Sequence, residues 1–140
     1  MKRSTTVLAA LALAACVSAE PPAPPSGAIE LHAARAIPAD IDAAFAGEIA
    51  RRYAGAPAQD VALNDLAENG FLCNDLGEYP AVRPGQVLST CELPRPHGLC
   101  SDKWSVALKL APVTGAVSVH RIAAEGRFAR SCIAGASPNG

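Results

Sequence analysis

Four cysteines, Cys73, Cys91, Cys100 and Cys132, lie in the second half of the chain and constrain its fold more than any other feature. The chain opens with Lys2 and Arg3, followed by an apolar run over residues 7–15 and small residues at its end, the pattern of a secretory signal. An exported chain meets an oxidising compartment, where an even cysteine count reads as disulfides. Four cysteines allow three connectivities. Hairpin geometry favours Cys73–Cys91 with Cys100–Cys132. Zinc is the rival reading, but no Cys-x2-Cys or Cys-x4-Cys pair is present. The same absence argues against a thioredoxin-like redox site. No metal and no cofactor is therefore expected.

The apolar run is too short to span a bilayer, which takes about 20 apolar residues. It ends on Leu13-Ala14-Ala15-Cys16, which resembles the lipobox of bacterial lipoprotein precursors. The resemblance implies that residues 1–15 are removed and that Cys16 is lipidated, with a diacylglycerol and usually a third acyl chain. Two or more chains anchor stably where one binds only marginally. Val17 follows Cys16. In enterobacteria an aspartate at that position signals inner-membrane retention, so the resemblance implies an outer-membrane destination facing the periplasm. The lipid bilayer is the first expected partner.

Residues 17–27 include Pro21, Pro22, Pro24 and Pro25 and end in Ser26-Gly27. This composition favours extended polyproline II, and with Cys16 it forms a spacer over 16–27. One small domain is expected over 28–133, followed by a loose tail over 134–140. Much of its apolar content is alanine, which buries little area, so a domain of this size profits from covalent staples.

Charge is uneven along the chain. From Glu20 to Asp75 there are nine acids and three arginines, whereas from Leu76 onward there are four acids and seven bases. Two readings follow: attraction between two layers of the domain, or a mildly basic sheet face for anionic partners such as lipid headgroups or an acidic protein. No dense basic run or aromatic stacking set is present, and an exported chain does not meet nucleic acid, so none is expected as a partner.

Pro38-Ala39-Asp40 opens a helix, with Pro at its first position and Asp40 and Asp42 at the positive end of the dipole. Ile41, Phe45, Ile49 and Tyr53 recur every fourth residue and form one face. Asp42 and Arg51 lie opposite, and Gly55 is expected to close the helix. Gly47, mid-helix, is expected to admit a close neighbour. A second helix is predicted over 57–69, with Leu63, Leu66 and Ala67 as its stripe. Gly70 suits the left-handed position after it, and Phe71 then packs on Leu66 in a Schellman motif.

Thereafter the period changes. Residues 71–73 and 87–93 read as strands, and Pro94, Pro96 and Gly98 mark a turn region. Trp104, Val106, Leu108 and Leu110 alternate with polar or small residues, the clearest strand of the chain. Residues 117–120 are expected to pair back onto it, with a further strand near 128–133. The predicted fold is α+β: a helix hairpin packed on an antiparallel sheet of three to five strands, in two layers.

This order of elements behind a lipobox, with Asp102-Lys103-Trp104 opening a strand, resembles the small lipoprotein of the outer-membrane β-barrel assembly machinery. The same two-layer fold occurs in β-lactamase-inhibitor-like domains. The resemblance implies a non-catalytic binding or scaffolding role, with an envelope protein as partner.

Catalytic signatures are sparse. No Gly-x-Ser-x-Gly elbow, His-Glu-x-x-His or glycine-rich phosphate loop is present. A periplasmic hydrolase using His97 and His120, with Lys103, is the alternative function, since such groups carry acid–base chemistry near neutral pH. It requires both imidazoles in one solvent-open cleft. His32 is expected to be solvated near the spacer. Asp40/Asp42 and Glu68/Asp75 sit at helix ends, where capping and solvation explain them. Trp104 is expected in the core, while Tyr79, in the loop between Cys73 and Cys91, is the better candidate for an exposed contact.

Overall fold

A helix begins at Pro38 because proline lacks the N–H that the first turn leaves unpaired and already holds a helical φ. This helix, α1 (Pro38–Arg52), places Ile41, Phe45 and Ile49 in the core, and Tyr53 at its C-cap is buried with them. The second, α2 (Gln59–Glu68), buries Ala62 and Leu66 and half-buries Leu63. Ala67, expected on that stripe, is exposed, and Ala62, one turn before Leu66, is buried instead. The helix ends as its sequence predicts. Gly70 has φ +87°, its N–H donates to the Ala67 carbonyl, and the Phe71 N–H donates to the Leu66 carbonyl at 3.0 Å. These are the two bonds of a Schellman cap.

The computed structural model describes residues 23–31, 37–76, 83–112 and 120–136. Four strands follow the helices: β1 (Leu72–Asp75), β2 (Val87–His97), β3 (Cys100–Leu110) and β4 (Ile122–Cys132). They form one antiparallel meander in the order β1-β2-β3-β4. The domain is thus α+β in two layers, with a helix hairpin on a four-stranded antiparallel sheet. The inner sheet face supplies Cys91, Leu93, Trp104, Val106, Leu108, Ile122 and Phe128 to the core.

Several local expectations are corrected. Strand β2 does not stop at Leu93 but continues through Pro94 and Pro96 to a two-residue turn at Gly98-Leu99. The last pairing of β1 on β2 is Leu72 with Glu92, so β2 is an edge beyond that point. The missing N–H groups of Pro94 and Pro96 face the side where β1 has ended, and no ladder bond is lost. Gly98 takes φ +58° at the first turn position, the conformation that a tight hairpin turn needs. The partner of β3 is β4, in register from Leu110↔Ile122 to Cys100↔Cys132. His120 is not in a strand, and 117–119 lie outside the described residues. Gly55 does not close α1. Tyr53 is its cap, and the positive φ of the connection falls on Ala56, at +50°.

Gly47 has no close neighbour, since a Cβ there would meet only Arg51 Nη1 at 3.9 Å. The close approach is at Gly126 in β4, where a Cβ would lie 2.8 Å from Ile49 Cγ1 and 3.1 Å from Phe45 Cε1. A bare backbone at this point lets α1 lie directly on the edge strand. Asp42 is likewise not on a solvated face. It is half-buried, and its Oδ1 accepts the Phe128 N–H.

Two disulfides join Cys73 to Cys91 and Cys100 to Cys132. In each, the cysteines are directly opposite on neighbouring strands. The Leu76 N–H donates to the Leu88 carbonyl, so even-numbered β1 residues hydrogen-bond to β2 and Cys73 lies in the alternate kind of pair. Side chains stand closest across such non-hydrogen-bonded pairs, which is what a cross-strand bridge needs.

Candidate functional site

The helices cover one face of the sheet and leave the other open. The open face carries Leu72 and Asn74 from β1, Thr90 and Glu92 from β2, Lys103, Ser105, Ala107 and Lys109 from β3, and Ala123, Glu125, Arg127 and Ala129 from β4, the alternates of the core positions. Small residues at its centre make a shallow hollow of about 260 Å³, lined by Thr90, Glu92, Ser105, Ala107, Lys109, Glu125 and Arg127.

Charges here are already paired. Lys103 reaches Glu92 at 3.2 Å, and Glu125 bridges Lys109 and Arg127. Hydrogen bonds from Lys109 and then Arg127 hold the Glu125 carboxyl below the usual range. On this face two carboxylates thus hold three cations in place, Glu92 one and Glu125 two. Arg130 is bound in two places by Asp102 on the inner face, Nε to Oδ1 at 2.6 Å and Nη2 to Oδ2 at 3.0 Å, with both side chains buried. Arg121 donates to the Gly55 and Ala56 carbonyls of the interhelix connection. These bases find carboxylates in their own half of the chain or backbone oxygens. The ion pairs lie within a layer, Arg52–Asp65 among the helices and the others along one strand or across neighbouring strands of the sheet.

A separate polar cluster holds the helix layer together. The Arg52 guanidinium grips Asp65 with Nε and Nη2, both at 2.7 Å, and Nη2 also donates to the Gly27 carbonyl. The Tyr53 hydroxyl donates to Asp65 Oδ2 at 2.5 Å. Burial pushes the Asp65 carboxyl up, but the bonds from Arg52 and Tyr53 outweigh it and hold it below its ordinary range. Burial and then the bond to Asp65 raise the Tyr53 phenol. No local pattern marks this cluster, since Arg52 and Asp65 are 13 residues apart and meet only when the two helices come together. Its role is structural, since it ties α1, α2 and the backbone at Gly27 together at one point.

The histidines are not brought together. His97 is at the β2–β3 turn, opposite Cys100, with Nδ1 3.9 Å from Asp102 Oδ2. His120 precedes β4, where its carbonyl accepts the Gln59 N–H. The length of β3 separates them, about 30 Å at the usual rise per residue. Lys103 is on the open face, paired with Glu92. The shared cleft required by a His97/His120 hydrolase is absent.

Trp104 is in the core, its ring 5.0 Å from that of Phe128, and its buried Nε1 has no acceptor among the described residues. Asp102 and Trp104, the two ends of the Asp-Lys-Trp motif, thus serve an internal ion pair and the core. Asp40 lies in the first turn of α1, Glu68 ends α2, and Asp75 ends β1, all exposed. Cys16, His32 and Tyr79 lie outside the described residues. Among the described residues there is no cluster of metal-ligating side chains, and no helix is long and apolar enough to cross a membrane. The chain matches no family model, no curated protein and no solved structure.

Proposed function

We propose that this chain is a lipid-anchored bacterial envelope lipoprotein whose domain is a non-catalytic binding module, docking on an envelope protein through the open sheet face. The supporting observation is that face itself: four strands wide, with preformed ion pairs around a shallow hollow of small residues. A pattern of both signs favours a protein surface of matching charges over a plain anion, because complementary charges give register and specificity. Behind the lipobox, Cys16 supplies the membrane attachment, and residues 17–27 reach about 34 Å if extended. The outer membrane, periplasmic side, is the proposed location.

Two experiments test this. Labelled palmitate is incorporated by the parent and not by Cys16→Ser; equal label in both removes the anchor. A partner captured from detergent-solubilised envelope is retained by Val61→Lys, on the helix layer, and lost by Ala107→Glu at the centre of the open face. Equal capture by both variants removes the docking face.

A further inference from the structure

The two edges of the sheet are treated differently. The edge of β4 is closed: the Pro57 carbonyl accepts the Ile122 N–H, Asp42 accepts the Phe128 N–H, and Ile49 covers Gly126. The edge of β1 is open. Its even-numbered residues bond to β2, as Leu76 does to Leu88, so the N–H and C=O groups of Cys73 and Asp75 point away from the sheet. Among the described residues nothing bonds to them. On either side, Leu72 is 73% and Leu76 49% exposed, the former the most exposed large apolar side chain among the described residues.

The spacing of these groups is self-complementary. We infer that β1 is a docking edge for a second copy of this chain, the two β1 strands pairing antiparallel about a two-fold axis at Asn74 to make one continuous eight-stranded sheet. With that axis, Cys73 faces Asp75 of the second copy and exchanges two N–H···O=C bonds with it, and the symmetry repeats the exchange. Those are the residues whose groups are free. Leu72 falls opposite Leu76 of the second copy, twice, in the non-hydrogen-bonded positions where side chains are closest. A shift by one residue would set groups already bonded to β2 against the partner and bring no leucines together. A strand this short pairs weakly in dilute solution. Confinement of two anchored copies to one membrane raises their effective concentration, and in this respect the inference rests on the proposed anchor.

The test uses the full chain as isolated in detergent, so loss of the anchor and loss of pairing are read separately. A benzophenone side chain placed at position 74 should cross-link to β1 of a second copy, because residues on the axis lie within about 5 Å of each other. Leu72→Lys with Leu76→Lys puts like charges opposite at both pairs and should weaken dimerisation roughly tenfold or more. Leu72→Lys with Leu76→Glu puts opposite charges there and should restore it. Asp75→Pro removes an outward N–H without touching the ladder to β2 and should abolish the dimer while leaving the circular dichroism spectrum unchanged. A monomer at all concentrations, a cross-link to another protein or another segment, or failure of the Lys/Glu variant to recover the dimer while folded would each overturn the inference.

Discussion

Asp42 Oδ1 accepts the backbone N–H of Phe128 at 2.7 Å, across 86 positions of sequence, and closes the last strand of the sheet with a side chain from the first helix. An edge strand with a free N–H row invites pairing with another chain, and a carboxylate placed on that row is one way to prevent it. Replacing Asp42 by alanine leaves the Phe128 N–H unpaired beneath α1. The expected cost is about 1–2 kcal/mol in urea unfolding, with faster amide exchange at Phe128. Asn keeps an acceptor and should recover most of the loss. Equal stability of the alanine variant and the parent would show that water replaces the carboxylate.

Two glycines to alanine should move stability in opposite directions. At Gly47, in an open helix interior, the change removes a helix penalty and should stabilise by up to about 1 kcal/mol. At Gly126 the new methyl meets Ile49 and Phe45, and the expected loss is about 1–3 kcal/mol. Ile49→Val keeps the Cβ and Cγ1 atoms that the new methyl meets, so combining it with Gly126→Ala should recover none of the loss. Thermal or urea unfolding of the four chains decides.

The Arg52–Asp65–Tyr53 cluster predicts the pH profile of stability. The Asp65 pKa is lowered in the folded state, so its contribution is full above the unfolded value near 4 and is lost as pH falls through the folded value. The Tyr53 pKa is raised, so its contribution is full below the unfolded value near 10 and is lost as pH rises beyond it. Asp65→Asn should flatten the acid limb and, by leaving the buried Arg52 unpaired, cost about 3 kcal/mol at neutral pH. Tyr53→Phe should flatten the alkaline limb and, by removing one of the bonds that hold the Asp65 carboxyl down, weaken the acid limb in part.

Each disulfide should contribute about 2–4 kcal/mol, mainly by restricting the unfolded chain. Replacing Cys100 and Cys132 by serine opens the longer loop, with a separation of 32 against 18 for Cys73 and Cys91, and should cost the more by about 0.5 kcal/mol. Peptide mapping under non-reducing conditions checks the pairing itself, and recovery of any other pairing would remove this prediction.

Short-range signals were legible in the chain. The fourfold recurrence from Ile41 to Tyr53 specified a buried helix face because a helix repeats every 3.6 residues whatever it packs against. Gly70 and Phe71 announced a Schellman cap because only a residue without Cβ takes the left-handed position cheaply. The alternation from Trp104 to Leu110 marked the central strand for an equally local reason. With four cysteines, these specified an α+β domain in two layers. The second half of β4 was legible as a strand near 128–133, but Ala123, Ala124 and Gly126 hid its first half, since none of them favours a strand and only the pairing with β3 and the packing of α1 make it one.

What lay beyond the sequence was every relation between distant groups. Prolines at 94 and 96 read as a turn until the end of β1 showed that their missing N–H groups face no strand. Asp42 read as a charge on the outer face of a helix, Arg52 carried no reading at all, and His97, His120 and Lys103 read as an alternative catalytic set. Packing made the first two into an edge cap and a clamp, and spread the other three over both ends and the outer face of the sheet. Local periodicity is written into a chain because it depends on neighbours a few residues away. The partner of a charge or an edge depends on which elements meet, and that is decided only when apolar faces far apart in sequence are buried together.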